Sequence, residues 1–524
     1  MPLPSGSAGI LSWLWRSPAM LPILLSLAIF IGFVYNLHAI PLFDVDEGAF
    51  SEATREMLAG GDYVTTYLNG SLRFDKPILV YWLQAISVTL FGVNEFAFRF
   101  PSALAAVGWI TAMLVFTRQQ ASRVTGFVAA LIAASSLGVC IIGRSATADA
   151  LLNLFLVLAM FDIYRYMGRP KRKYVYRTYL WIGLGLLTKG PIAVLIPFAV
   201  SGIVFFLEGK SPLWWRAVAD PIGWTILVGI AGPWYLLEYQ RQGNAFINGF
   251  LLRHNIERFQ SPLQGHSGGL FYYAFAALLL LLPYSGLFLR ILPTVRTMGR
   301  QPLTRFLWTW FLFVLVFFSL ARTKLPHYLL YGLTPLFILM AMRRDRLRSR
   351  WLAFAPPLLL LSIVLAFPAL LRFGGPWVSD PYFREMLTQQ GVFGTPYYLA
   401  SSVLLTVSAI LVLMRITVWR RLLATGFLCS VALVALLLPA MGELQQGPVK
   451  EAAAIAKATG EPVHAWEINM PSFSVYLGDI PVRDGLPNAG ELVFTRVDAL
   501  AQLGLVEVVY RKGGIALVRR LSPE

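Results

Sequence analysis

Charge is scarce in this sequence. Asp, Glu, Lys and Arg make up 14% of its 524 residues, where a soluble globular chain carries about 25%. What replaces them is apolar: 57% of the chain, in runs long enough to span a bilayer, which excludes an ordinary soluble domain and requires a polytopic membrane protein. Cysteine is nearly missing as well. Cys140 and Cys429 both fall inside apolar runs, read as buried thiols, and say nothing about redox compartment. Acids are in short supply, 27 against 44 basic residues, for a formal charge of +17. In a soluble protein that excess would suggest nucleic acid. Here the Lys and Arg stand mainly in short loops between apolar runs, where the positive-inside rule accounts for them more simply. Low-complexity segments are also lacking, as are internal repeats and ionisable residues in mid-span, the last two being the marks of a secondary transporter. The N-terminus has no typical signal peptide, and Leu21 to Ile40 is long enough to be a retained first helix.

The apolar runs predict spans at roughly 19–41, 78–92, 96–117, 124–142, 149–167, 177–189, 191–207, 219–239, 270–290, 305–321, 326–342, 351–371, 396–414 and 421–440. The run 78–92 is short and reads as partly re-entrant, so about 13 crossings are expected. The strongly basic loops, such as RYMGRPKRKYVYR (165–177) and RRDRLRSR (343–350), should be cytoplasmic. They alternate with loops of another character, including 42–77, 144–149, 188–191, 240–269 and 321–328, which hold most of the acids and histidines and should face outward. After Ala440 the continuous hydrophobicity stops. PVHAWEI and ELVFTRV read as strands, VKEAAAIAKATG as a helix stopping at Gly460, and VEVVYRKGGIALVRR as a hairpin turning at Gly513-Gly514. The expected fold is therefore an α-helical membrane domain over 1–440, with outer loops 42–77 and 240–269, followed by a small α/β extracytoplasmic domain over 441–524.

The acids concentrate where the chain first emerges. Asp44, Asp46, Glu47, Glu52, Glu56, Asp62 and Asp75 all lie between residues 44 and 77, among Arg55, Arg73 and Lys76. Ionisable groups at a membrane boundary are costly to desolvate and are functional candidates by default. Asp46 and Glu47 stand first, as carboxylates placed to act as a general base on a hydroxyl. The alternative is an amphipathic interfacial helix with acids in its first turn. Asp44-Val45-Asp46 also spells a weak divalent-metal pair. Cations in the other outward loops are candidates for an anionic head group: Lys76, Lys189, Arg253 and Arg258, Arg322 and Lys324, with His327 and Tyr328 beside them. Against this, each lysine can snorkel from its own helix end. Asp149 opens a span, where an acid also serves as a first-turn residue. Asp75 and His254 could share a metal, but no close-spaced ligand pair accompanies them, which favours a plain hydrogen-bonding histidine.

These motifs together resemble a known family. DEGAFSEATREMLAGGDYVTTYLNGSLRFDKPILVYW, Asp149, Thr188-Lys189-Gly190, HNIERF (254–259) and KLPHY (324–328) follow in order the pattern of the GT-C glycosyltransferases of the protein O-mannosyltransferase and aminoarabinose transferase (ArnT-like) group. The likeness covers residues 20–345. It implies a GT-C membrane fold and an inverting enzyme of the bacterial inner membrane whose donor is a polyprenyl-phosphate sugar. The acceptor would be an envelope glycolipid such as lipid A, with 4-amino-4-deoxy-L-arabinose as the sugar, or a protein. By the same resemblance Asp46 is the catalytic acid/base residue near the acceptor, with Asp149 and Lys189 further site residues; with Glu47 from its place beside Asp46, the expected catalytic set is Asp46, Glu47 and Asp149. Lys76, Arg258 and Tyr328 hold the lipid phosphate, with Lys189 and Lys324 nearby. No cofactor is required by it; a divalent ion at Asp75 and His254 is left open. A non-catalytic lipid-binding relative and a transporter are the rival readings.

Overall fold

Apolar helices dominate the structure, a computed structural model that describes residues 19–250, 252, 268–269 and 271–522. Among these residues six helices are long and apolar enough to cross a membrane: Glu95–Gln120, Asp149–Gly168, Pro302–Leu320, Arg350–Trp377, Thr395–Leu413 and Val418–Thr459. Arg123–Ala134 and Leu137–Gly143 make a seventh if taken as one span, bent by 69°. The bend has a local cause: Ser135 and Ser136 donate their hydroxyls back to the carbonyls of Leu131 and Ile132, at 2.6 and 2.5 Å, and Leu137 N–H leaves the helix for the Leu282 carbonyl at 2.8 Å. Met20–Val34, Leu79–Phe91, Ile192–Leu207 and Pro326–Met342 are apolar but shorter. The expected count of about 13 spans thus draws on helices that length and composition alone do not qualify as crossings.

Seven helices position the site, together with the short turn Pro326–Gly332 that carries His327, Tyr328 and Tyr331. The acidic stretch forms α1 (Asp46–Gly60), closed by Gly61 in the left-handed conformation at φ 68°. It is not the one-sided interfacial helix that its pattern suggests. Glu47, Phe50, Ser51, Glu52, Ala53, Thr54 and Met57 are all buried, because α1 is packed on more than one side. One neighbour is α2 (Leu79–Phe91), where Tyr81 stacks on Phe50 at 5.4 Å and Thr54 donates to Gln84 at 2.8 Å. Between them the strands β1 (Tyr67–Leu68) and β2 (Ser71–Leu72) make a small antiparallel hairpin. At 13 residues α2 is too short to span alone. It leads into the long α3 (Glu95–Gln120), whose first turn is capped by Asn94. Then α4 (Asp149–Gly168) packs along α5 (Arg172–Lys189), which ends at Gly190 with φ 77°.

The last apolar run does not end near Ala440. It continues through a π segment, Leu433–Leu437, into α6 (Leu438–Thr459), and only Gly460 at φ 69° stops it. The expected boundary at 440/441 falls inside a helix, because the change in composition there does not break the helical hydrogen bonding. Beyond it, β3 (Val463–Trp466), β4 (Leu492–Arg496), β5 (Val506–Lys512) and β6 (Ile515–Arg520) form one sheet in the order β3-β4-β6-β5. The β3–β4 pair is parallel and the others antiparallel, with the hairpin turning at Gly513 and Gly514, both at positive φ. The strands fall where the sequence predicts them. The short α7 (Pro471–Leu477), not read from the sequence, lies against α1 and α6 and joins the small domain to the acidic stretch.

Candidate active site

Two adjacent carboxylates open α1 and they are used differently. Glu47 is buried. Its Oε1 accepts from Arg99 Nε at 2.9 Å and Ala146 N–H at 2.7 Å; its Oε2 accepts from Arg99 Nη2 at 2.6 Å and Phe43 N–H at 3.0 Å. The Arg99 guanidinium offsets the cost of burial and holds the Glu47 carboxyl below the usual range. Arg99 also donates to the carbonyls of Leu37, Ile40 and Pro41 at 3.0, 2.5 and 2.9 Å. Glu47 and Arg99 therefore fix the chain between the first helix and α1, and no oxygen of Glu47 is left to meet a substrate. Asp46 is exposed. Sequence reasoning passed over Arg99, although a lone arginine in the aromatic run FAFRF was a signal for it.

Asp44 faces the small domain. Its Oδ1 accepts from Ser472 N–H at 2.9 Å, and Ser472 Oγ donates to its Oδ2. With its amide turned to suit its neighbours, Gln446 donates to the same Oδ2 at 3.0 Å. The two aspartates of Asp44-Val45-Asp46 thus serve different partners and do not form the metal pair their spacing suggests. Burial pushes the Asp44 carboxyl up to about 7. Gly48 is required beneath this contact: a Cβ there would stand 2.0 Å from Asp44 Oδ1 and 2.6 Å from Ser472 N.

Asp149 is the centre of a second set. Its Oδ1 meets Lys189 Nζ at 2.6 Å and accepts from Tyr331 OH at 2.5 Å, with His327 Nε2 at 3.9 Å. The position opening a helix suits an acid. The pairing arises because α4 begins where α5 ends, so their facing termini bring Asp149 to Lys189. Lys189 also lies 5.4 Å from the Tyr328 ring and 5.6 Å from the Tyr331 ring, so two aromatic faces flank its ammonium. Asp46 and Lys76 lie close enough for their charges to act on His327 together with those of Asp149 and Lys189. Asp149, Lys189, His327 and Tyr328 therefore gather in one place, within reach of the charges of Asp46 and Lys76, though 282 positions separate Asp46 from Tyr328 in the sequence. Tyr331 joins them; only its place three residues beyond Tyr328 in PHYLLYG hinted at it.

Lys76 donates to Asp75 at 2.7 Å, and Arg73 reaches the other Asp75 oxygen at 3.3 Å while donating to Tyr81 at 3.1 Å. Asp75 thus faces cations on both oxygens. His254 and Arg258 lie outside the described residues, and among those described no group of three His, Cys, Asp or Glu could hold a metal. Asp75, the described member of the expected Asp75–His254 pair, is engaged by two cations. Lys324 is buried and donates to the carbonyls of Gly269 and Ser319 at 2.9 and 3.0 Å, an arrangement that fits the loop it caps.

This arrangement of charged loops on an apolar bundle is the GT-C class of membrane fold. The fold matches the crystal structure of ArnT from Cupriavidus metallidurans bound to undecaprenyl phosphate, with TM-score 0.78 at 20% identity over 97% of this chain and all of that one. The family model described as dolichyl-phosphate-mannose-protein mannosyltransferase matches residues 75–234. A Yersinia enterocolitica protein named undecaprenyl phosphate-alpha-4-amino-4-deoxy-L-arabinose arabinosyl transferase is 35% identical over 60% of this chain. The match spans 58% of that relative's length. An uncharacterized Aquifex aeolicus protein is 31% identical over 59% of this chain and 70% of its own length. The chain belongs to the ArnT-like family of GT-C proteins. It is a multi-pass membrane protein of the bacterial inner membrane.

Proposed function

We propose that the chain is an inverting glycosyltransferase that moves a sugar from a polyprenyl phosphate to an acceptor outside the cytoplasm. The observation that carries this reading is the meeting of Asp46 and Lys76 with the Asp149–Lys189 pair around His327. An exposed carboxylate whose charge reaches the same histidine as those of two lysines suits displacement at a sugar phosphate. Asp46 takes the proton of the acceptor hydroxyl, and the freed oxygen attacks the anomeric carbon from the face opposite the phosphate. The bond from that carbon to the phosphate oxygen breaks, and its electron pair leaves with the polyprenyl phosphate. Lys76 and Lys189, with Arg258 by resemblance, neutralise the charge that develops there. Glu47 and Asp149 are positioning residues. Asp149 holds Lys189 between its two tyrosines, and Tyr328 borders the phosphate.

The names of the relatives support 4-amino-4-deoxy-L-arabinose as the sugar and undecaprenyl phosphate as the carrier, with lipid A or another envelope glycolipid as acceptor. The matching family model supports protein as the second acceptor class. The active face is the one opposite the arginine-rich loops, and therefore the periplasmic one. The test is transfer by the purified protein from a synthetic polyprenyl-phosphate sugar, with lipid A and protein acceptors assayed side by side. Asp46→Asn should lower turnover by about 10²–10⁴ with donor affinity kept, and Lys76→Ala should weaken the apparent donor affinity. Undiminished turnover in Asp46→Asn would remove that residue from the chemistry.

A further inference from the structure

Arg73 lies beside Asp75, and the transfer step makes no use of it. Its segment is fixed by two bonds: Arg73 N–H donates to the Thr66 carbonyl at 2.8 Å, and Thr66 Oγ1 donates to the Arg73 carbonyl at 2.5 Å. The side chain crosses the Phe50 ring at 5.4 Å, where a planar, weakly hydrated guanidinium is better suited than an ammonium. Its Nε donates to Tyr81 OH of α2 at 3.1 Å and its Nη2 to Asp75 Oδ2 at 3.3 Å, with 12% of the side chain exposed. The other oxygen of Asp75 meets Lys76 Nζ at 2.7 Å. One carboxylate is thus shared by two cations, and one of the two is the lysine assigned to the donor phosphate.

The balance of charge decides what this sharing does. Lys76 and Asp75 by themselves carry no net charge, and an ammonium matched by a carboxylate has little pull left for a phosphate. Arg73 returns one positive charge to the group. The same holds on the larger scale. The carboxylates that gather here are Asp46, Asp75 and Asp149, and the Lys and Arg side chains among the described residues are Lys76, Lys189 and Arg73. Without Arg73 these acids would outnumber these cations. The charge of Asp46 acts on Arg73 as well, so the guanidinium is within reach of the place where the proton is taken.

We propose that Arg73 is a positioning residue for the donor: by taking up the charge of Asp75 it leaves Lys76 available to the phosphate of the polyprenyl carrier. The identity of that carrier rests on the transferase reading. Arg73 itself makes no contact with the phosphate, and its effect passes through Asp75.

Binding to the full chain in a neutral detergent tests this, with undecaprenyl phosphate as the probe and undecaprenol as its uncharged control. Arg73→Met should weaken binding of undecaprenyl phosphate by about tenfold and leave that of undecaprenol unchanged. Arg73→Lys keeps the charge and should keep most of the affinity. The deciding variant is the double one. When Arg73→Met is combined with Asp75→Asn, the carboxylate that Arg73 offsets is gone, and affinity should return to within about threefold of the original. Asp75→Asn alone keeps an oxygen for Lys76 and should bind at least as tightly as the unsubstituted chain. A folding defect would lower undecaprenol binding too, and the second substitution would not repair it. Undiminished binding in Arg73→Met, or equal loss of both ligands, would overturn the proposal. So would a double variant as weak as Arg73→Met, because Arg73 would then act on the phosphate or on the fold directly. If the unsubstituted chain fails to bind undecaprenyl phosphate, the donor reading itself fails and this proposal falls with it.

Discussion

The helix pair α4 and α5 buries an aspartate at each end, and the two ends are finished differently. At one end Asp162 meets Arg165 at 3.0 Å, Arg177 at 3.0 Å and the Trp181 indole at 3.2 Å. Both of its oxygens are filled by residues of the same two helices, and Arg177 reaches outward with 44% of its side chain exposed. At the other end Asp149 has one lysine, itself 9% exposed, and its remaining partners, Tyr331 and His327, come from far along the chain. The first end is a staple that two helices make for themselves. The second requires several segments that otherwise have no reason to meet. A buried acid is therefore by itself a poor indicator of function in this fold.

The most severe way to break this comparison is to remove one cation from each end. Lys189→Met leaves the buried Asp149 charge without a close cation, which should cost about 3–5 kcal/mol and abolish transfer. Arg177→Met leaves Asp162 with Arg165 and Trp181, and the lost partner is largely in water, so the cost should be about 1 kcal/mol or less. Thermal unfolding in detergent reads both. Equal losses would mean that the two ends are alike.

The same contrast separates the two adjacent acids of α1. Glu47→Gln removes one partner of the buried Arg99 pair and should destabilise by about 3 kcal/mol. Asp46→Asn, at an exposed position, should change the melting temperature little while removing transfer. If Asp46→Asn unfolds the protein and Glu47→Gln does not, the roles assigned to the pair are reversed.

Much of this was legible in the sequence. The apolar runs, the acidic stretch, Lys76, Asp149, Lys189 and Tyr328 can be picked out by their positions at helix ends, because a charge next to an apolar run must lie at a boundary. The four strands followed from alternation and from Gly513-Gly514. What stayed hidden depended on tertiary partners. Nothing local in DEGAFSEATREML says that α1 is covered by both α2 and α7, so its pattern reads as amphipathic although most of it is buried. Nothing local distinguishes Asp46 from Glu47; Arg99, 52 residues away, does that. The composition changes near Ala440, and a helix runs straight through it.

Docking of the small domain sharpens the comparison further through two glycines of one helix. Gly48→Ala would drive a methyl into Asp44 and the Ser472 amide and should cost about 1–3 kcal/mol, with faster proteolysis between α6 and α7. Gly60→Ala has nothing within 4 Å of the new methyl and should stabilise the helix by up to about 1 kcal/mol. Destabilisation by both would place the defect in α1 itself and not at the contact.

A separate expected effect is on pH. The Asp44 carboxyl is pushed up to about 7 from an ordinary value of 3.8, first by burial, so the folded state holds a proton that the unfolded chain gives up earlier. Its contribution to stability is therefore complete below pH 3.8 and declines as pH rises through 7. Glu52, also raised to about 7 by burial, acts with the same sign. Asp44→Asn mimics the protonated acid in shape and keeps an oxygen for the Ser472 amide. It should flatten the Asp44 part of the slope between pH 4 and 7 and leave the Glu52 part, as followed by thermal unfolding across that range. An unaltered slope in Asp44→Asn would mean that the carboxylate is charged where it meets Ser472, and that the domain is held by an ionic hydrogen bond instead of a neutral one.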